Sequence, residues 1–343
     1  MGKPDFKILH ELIDLNGTSG NEQYVREYIM KTIKPHVQEM RIDKLGNLIC
    51  HKKGKKPTLM IAAHMDEIGL IVKRIEENGR IFVSALGGVN TLNVVGQTVS
   101  LYGKKGVVKG IITTKEINND YETTQLPEIN DIFVDTGMGK KQLLAAGVQV
   151  GNYLGLERTD HEMGNPDFIS GKALDDRVGC FALIEVAKRM KHSTHDLYLV
   201  FTIQEEVGLY GAKVSAYAID PELAVAVDVS NANDANDEPT KVTGKGPVLT
   251  IKDDELIGNR CLNDYFEEVA KKKKIPLQLE VSNFGTTDAI TISLSKGGVP
   301  ATALGVAVRN IHTTHSVASM KDITQLIDML EEFCQHPPLK CIE

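Results

Sequence analysis

The chain has 343 residues, 42% of them hydrophobic and 25% charged, the composition of a soluble globular protein with one large or two moderate domains. A net charge of −7 argues against a nucleic-acid partner, and with no run of 18 apolar residues no membrane-spanning helix is expected. The five cysteines (Cys50, Cys180, Cys261, Cys334 and Cys341) are odd in number and lack CxxC spacing, so they read as reduced thiols of a cytoplasmic protein.

The segment Met1 to Lys7 lacks the apolar core of a signal peptide, and Phe6 breaks the myristoylation pattern. A helical pattern follows over Tyr24 to Ile33, then strand patterns over Val37 to Ile49 and Thr58 to His64. The last of these carries the run Leu59-Met60-Ile61 into Ala62-Ala63-His64-Met65-Asp66-Glu67. From Gly69 to Leu156 the strands become short and β-rich, as in Leu70 to Ile75 and Arg80 to Val83. Turns at Glu77-Asn78-Gly79 and Gly103-Lys104-Lys105-Gly106 punctuate them. This texture predicts a small β-barrel inserted into an α/β domain.

Long helices and apolar strands alternate again from Ala173 onward. Leu174-Asp175-Asp176-Arg177 precedes a helix-like stretch, Val178 to Met190, in which Cys180 reads as core. Leu197 to Ile203 has the apolar run of a strand buried on both faces and leads into Gln204-Glu205-Glu206-Val207-Gly208. Asp228 ends the apolar run Leu223 to Val227. Lys271 to Lys274 reads as a solvated helix end before Pro276. Ala303 to Val308 is a last apolar strand ahead of His312.

His64, Asp175, Glu206, Asp228 and His312 thus lie at or near the ends of apolar elements, where open α/β sheets place their ligands. Singly, such residues have plainer explanations. An Asp at a strand end is more often a helix cap, a Glu-Glu pair is usually solvated surface, and a lone His is usually structural. Five of them in the order His, Asp, Glu-Glu, Asp, His outweigh that reading. Two imidazoles and three carboxylates suit two borderline cations such as Zn²⁺, Co²⁺ or Mn²⁺. One shared carboxylate would bridge ions about 3.5–4 Å apart that hold an activated water. Adjacent acids such as Glu205 and Glu206 then divide the labour, one binding a cation and the other moving a proton.

Ala63-His64-Met65-Asp66-Glu67-Ile68-Gly69, Gly171-Lys172-Ala173-Leu174-Asp175-Asp176-Arg177 and Gln204-Glu205-Glu206-Val207-Gly208-Leu209 together resemble the motifs of the co-catalytic metallo-aminopeptidases. That group includes the tetrahedral (TET-type) and glutamyl aminopeptidases, some of them labelled endoglucanases. Thr18-Ser19-Gly20-Asn21-Glu22 is similar to the group's N-terminal helix entry, and the likeness runs over essentially the whole chain.

The resemblance implies a mixed-sheet α/β/α metallopeptidase domain (1–66 and 165–343) with an inserted β-barrel dimerisation domain (67–164), and dimers that assemble into a dodecamer. It implies two divalent metal ions per subunit, with Asp175 as the bridging ligand. His64 and Asp228 complete one site, and Glu206 and His312 the other. Glu205 is then the general base, Asp66 the carboxylate that orients His64, and the Asp175-Asp176 peptide cis. The chain departs from the group's common R-Y-I-H motif, reading Arg309-Asn310-Ile311-His312-Thr313-Thr314-His315, and from G-G-T-D-A, reading Gly285-Thr286-Thr287-Asp288-Ala289. Asn231 stands where a His is frequent. These departures bear on specificity more than on chemistry.

The expected activity is removal of N-terminal residues from peptides with a free amino terminus, through a metal-bridging water and Glu205. A metal-dependent deacylase or carboxypeptidase is the enzymatic rival, separable by its action on N-blocked substrates. An inactive oligomeric scaffold fits less well, since all six positions are present. Glycan cleavage fits poorly, because glycosidases normally use a carboxylate pair without metal and this chain has no Trp to stack on a sugar.

Overall fold

The fold is that of a computed structural model, which describes residues 3–114, 126–157 and 163–342. Two helices open it, α1 (Phe6–Asp14) and α2 (Gln23–Ile33), followed by strands β1 (Glu39–Ile42), β2 (Leu48–Lys52) and β3 (Lys55–His64). The next segment holds β4 (Gly69–Ile75), β5 (Ile81–Leu86), α3 (Thr91–Val94), β6 (Thr98–Gly103), β7 (Gly106–Thr114), β8 (Ile132–Asp135), α4 (Lys140–Ala145) and β9 (Tyr153–Leu156). Then come β10 (Phe168–Gly171), α5 (Leu174–Arg189), β11 (His195–Thr202), α6 (Tyr210–Ile219), β12 (Leu223–Asn231) and β13 (Pro247–Lys252). The chain closes with α7 (Arg260–Lys273), β14 (Gln278–Val281), α8 (Asp288–Ser293), β15 (Ala301–Val308), β16 (Ser316–Ser319) and α9 (Met320–Gln335).

The large sheet runs β1-β2-β11-β3-β12-β15-β13-β14. Its centre, β11-β3-β12-β15, is parallel throughout, and the flanking pairs β2–β11 and β13–β15 are antiparallel. Side chains alternate across it with the period of two that a strand imposes. Leu59, Ile61 and Ala63 enter the core beneath α1, α2, α5 and α9, while Met60 and Ala62 enter the one beneath α6 and α8. The result is a three-layer α/β/α domain. Between β3 and α5 the chain forms a closed barrel, β4-β5-β8-β7-β6-β9, with its own apolar core around Leu70, Val83, Leu101 and Val134. The mixed sheet and the inserted barrel are the architecture expected from the sequence.

Three expectations need correction. Val37 to Ile49 is not one strand, because the Asp43 carboxylate gathers the N–H groups of Leu45, Gly46 and Asn47 at 2.8–3.0 Å and folds β1 back on β2 as a hairpin. Asp228 lies inside β12, which runs on to Asn231. α5 is counted from Leu174, but Asp175 and Asp176 are non-helical and the regular helix starts only after them, within a residue or so of the expected Val178. Finally, the five cysteines are not all thiols. Cys261 at the start of α7 and Cys341 near the C-terminus form a disulfide, although 80 residues separate them. Only the docking of α7 beside the C-terminal turn brings them together, which no local spacing announces. Cys50, Cys180 and Cys334 are free and buried. Among the described residues, no helix is long and apolar enough to cross a membrane.

A buried ion cluster ties the two halves of the domain. Glu67 receives Lys172 Nζ at 2.7 and 2.8 Å, the Gly17 N–H at 2.8 Å and Arg177 at 3.4 Å. Arg177 also donates to the carbonyls of Met65, Leu12 and Leu15, closing the C-terminal turn of α1. Removing one member of such a buried cluster leaves uncompensated charge. Glu67→Gln is expected to lose about 3–5 kcal/mol in urea unfolding; a loss below about 1 kcal/mol would show that the cluster is not the clamp described.

Candidate metal centre

Strand direction brings the predicted residues together. His64 ends β3, and Glu205 and Glu206 follow β11 by three and four residues. Asp228 lies in the second half of β12, and His312 follows β15. Asp175 enters from the first turn of α5. All six therefore converge at the carboxyl edge of the four parallel strands. The Asp175-Asp176 peptide is cis.

Asp175 stands between the two imidazoles. Its Oδ1 lies 2.9 Å from His64 Nε2, and its Oδ2 lies 3.1 Å from His312 Nε2. Asp228 Oδ1 is 3.8 Å from His64 Nε2, and Glu206 Oε1 is 3.3 Å from His312 Nε2. Two groups result, His64–Asp175–Asp228 and Asp175–Glu206–His312, and within each the candidate donor atoms lie within 4.8 Å of one another. Asp175 belongs to both. His315 belongs to neither, while Asn231 and Thr286 line the adjoining cavity.

Asp66 does more than the sequence suggested. His64 Nδ1 is 3.0 Å from the backbone carbonyl of Asp66 and 3.6 Å from its carboxylate. The carboxylate itself accepts the N–H groups of Glu205 at 3.0 Å and Glu206 at 3.3 Å, together with the Ser19 hydroxyl at 2.6 Å. It thus holds the turn that presents both glutamates. Asp288 was missed as a site residue. Its Oδ2 accepts the Thr202 hydroxyl at 2.6 Å, and its Oδ1 is buried without a partner. The available signal was the Thr-Asp step at the start of α8, where Thr287 caps the helix.

The charges do not balance within the protein. Seven carboxylates (Asp66, Asp175, Asp176, Glu205, Glu206, Asp228 and Asp288) surround two imidazoles, and buried charge of one sign needs compensation. Asp176 Oδ2 receives no hydrogen bond, and Glu206 Oε1 has only the His312 imidazole at 3.3 Å. Burial, with neighbouring carboxylates, pushes Asp228 up to about 7 and raises Glu205 and Glu206, against the opposing pull of the imidazoles. Burial also lifts Asp288 to about 6. For His312, burial lowers proton affinity, but hydrogen bonds to Asp175 and Glu206 and their charges outweigh it, raising the imidazole to about 10. Asp175 moves the other way: burial raises it, and His312 and His64 hold it below its ordinary value. A cluster of hard and borderline donors with surplus negative charge is what divalent cations would neutralise.

A cavity of about 820 Å³ opens from this centre and is lined beyond it by Ser230, Thr250, Glu280, Phe284 and Thr287. In its wall, Glu280 accepts from Ser230, Thr250 and Lys241.

A family model for the M42 glutamyl aminopeptidases matches residues 46–329. The chain belongs to the M42 glutamyl aminopeptidase family. It is 38% identical over 329 residues to a putative aminopeptidase of Acetivibrio thermocellus, covering 95% of this chain and 97% of that one. Its structure is similar to that of an aminopeptidase from the archaeon Desulfurococcus kamchatkensis, with a TM-score of 0.93, 34% identity, and 98% and 96% of the two chains covered. It is also similar to the TET1 peptidase of Pyrococcus horikoshii, described as assembling into a tetrahedron or a large octahedral shell, at TM-score 0.87, 28% identity, and 96% and 99% coverage. This M42 member is an aminopeptidase, a hydrolase of peptide bonds, and its family is one of metallopeptidases.

The raised His312 fixes a sign for cation uptake. Metal-free, this imidazole holds its proton up to about pH 10, against an ordinary 6.5, so its contribution to stability is full below pH 6.5 and is lost as pH rises through 10. A cation needs the neutral ring and must displace that proton. Zinc binding to metal-free protein is expected to release protons and to tighten by up to about tenfold per displaced proton from pH 7 to pH 8. Calorimetry in two buffers of different ionisation enthalpy measures this, and zero net proton release would refute the ligand role of His312.

Proposed function

We propose that this M42 aminopeptidase works with two divalent cations per subunit, zinc or cobalt with manganese as a third possibility. His64 and Asp228 hold one ion, Glu206 and His312 the other, and Asp175 bridges them. The observation that carries this reading is the position of Asp175, each oxygen against a different imidazole and shared by both donor groups. When bound, such ions supply Lewis acidity that lowers the pKa of a water and polarises the scissile carbonyl.

The remaining work falls to side chains. Glu205 takes a proton from the attacking water and returns it to the departing amine. Burial raises its proton affinity, and Asp228, Asp288 and Glu206 add to that against the pull of His64, so the carboxylate is a willing acceptor. Asp66 holds Glu205 and Glu206 by their backbone amides and flanks His64 through its carbonyl, so it positions base and ligands together. A free α-amine on the substrate would be a further donor for one of the bound ions, which suits an exopeptidase acting at unblocked N-termini.

Residues 67–164 are proposed to be a dimerisation unit, supported by the closed barrel and its separate core. Dimers are proposed to build a dodecamer, a reading supported by the tetrahedral assembly described for the Pyrococcus horikoshii relative.

Two outcomes test the catalytic reading. A pool of peptides, half of it N-acetylated, incubated with zinc- or cobalt-loaded enzyme and followed by mass spectrometry, should lose N-terminal residues stepwise from the free half alone. Cleavage of the blocked half would instead make the enzyme a deacylase or carboxypeptidase. Glu205→Gln should retain both ions and lose about 10²–10⁴-fold in kcat; a near-normal rate would remove Glu205 from the role of base.

A further inference from the structure

The barrel supplies none of the proposed ligands and no base, yet it touches one half of the centre closely. Between β5 and α3 the chain reads Leu86-Gly87-Gly88-Val89. A methyl group placed on Gly88 would lie 2.6 Å from His312 Nδ1 and 2.8 Å from its Cε1. One placed on Gly87 would lie 2.8 Å from Glu206 Oε2 and 3.0 Å from Glu206 Cβ. Real carbons do not approach other atoms so closely, so each glycine marks a place where the barrel backbone is pressed against a ligand side chain. The two ligands concerned, Glu206 and His312, are the pair that completes a single donor group with Asp175.

The segment carrying His312 is a loop between β15 and β16, braced from within by the Thr313 and Ser316 hydroxyls, which donate to the Asn310 carbonyl at 2.7 and 2.8 Å. It is not in a strand, and both Asn310 (φ +54) and His312 (φ +59) adopt the left-handed conformation. Such a backbone persists only where its surroundings impose it. A second contact with the barrel stands nearby, where Thr314 Oγ1 donates to Gln97 Oε1 at 3.2 Å.

We propose that the Gly87-Gly88 turn of the barrel is a positioning element for the Glu206–His312 half of the metal centre and sets its affinity without supplying a ligand. This rests on the two-metal reading given above. The His64–Asp228 half is built from the sheet itself and should be indifferent to the turn.

Gly88→Ala is the informative variant, because Gly88, unlike Gly87 (φ +78), needs no left-handed backbone and the substitution adds only the methyl. Gly164→Ala is the control, having no atom within 4 Å of the added methyl and no left-handed backbone. The full-length protein is stripped with a chelator, titrated with Zn²⁺ and read by calorimetry and by elemental analysis after gel filtration. Wild type and Gly164→Ala should bind two ions per chain. Gly88→Ala should bind one with unchanged affinity and the other about 10–100-fold more weakly, the range for loss of a ligand-orienting neighbour.

A variant in which Gly88→Ala is combined with His312→Ala separates positioning from general damage. If the turn acts through His312, the double variant should match His312→Ala alone in metal content and thermal midpoint. Two ions held at wild-type affinity by Gly88→Ala would overturn the proposal. So would loss of both ions with additive destabilisation in the double variant, since the turn would then be merely structural. Fewer than two ions in wild type would remove the two-metal reading itself and the proposal with it, a result distinguishable from either because it appears without any substitution.

Discussion

Seven carboxylates converge on two imidazoles at the carboxyl edge of the parallel strands, and among the described residues no lysine or arginine is paired with any of them. The lysine and arginine nearest by sequence, Lys172 and Arg177, are turned away to Glu67 and to backbone carbonyls. Like charges at these separations repel strongly in a buried setting. The fold must therefore be held by something other than the centre until cations arrive. The clamp of Glu67, Lys172 and Arg177 does this. It pins the segment after His64 to the segment before Asp175, and both to the end of α1, so the donors stay close to one another. Stability is drawn from one buried ion cluster so that its neighbour can remain unbalanced for binding.

The parts that were legible in the sequence are those where one physical rule acts locally. The parallel strands bury both faces, so β3, β11, β12 and β15 read as unbroken apolar runs, and the residues that follow them could be singled out by position alone. The barrel was legible as a change of texture, short strands with turn residues at close intervals. Once the family motifs were quoted, the ligand set and the base followed from resemblance, and the geometry groups the same residues.

What stayed hidden depends on partners distant in sequence. Cys261 and Cys341 meet because α7 docks beside the C-terminal turn. The resemblance makes Asp66 the carboxylate that orients His64, and residues two apart share a side of an extended chain, which accounts for its nearness. Its stronger hydrogen bonds go to Glu205 and Glu206, 139 and 140 residues away. Gly87 and Gly88 look like ordinary turn glycines until Glu206 and His312 are placed against them.

The neighbours Glu205 and Glu206 show how one local geometry separates two tasks. They share a strand end and a common anchor, since the Asp66 carboxylate accepts the amide of each. Gln204 ahead of them takes a left-handed conformation (φ +53), which turns the chain out of β11 before either glutamate is reached. From that turn Glu206 reaches the His312 side of Asp175, while Glu205 faces the field of Asp228, Asp288 and His64. On the reading proposed above, Glu206 takes a cation and Glu205 moves a proton, although burial raises the proton affinity of both. What separates the two acids is then the direction of a single bend, which the Asp66 carboxylate holds through both backbone amides.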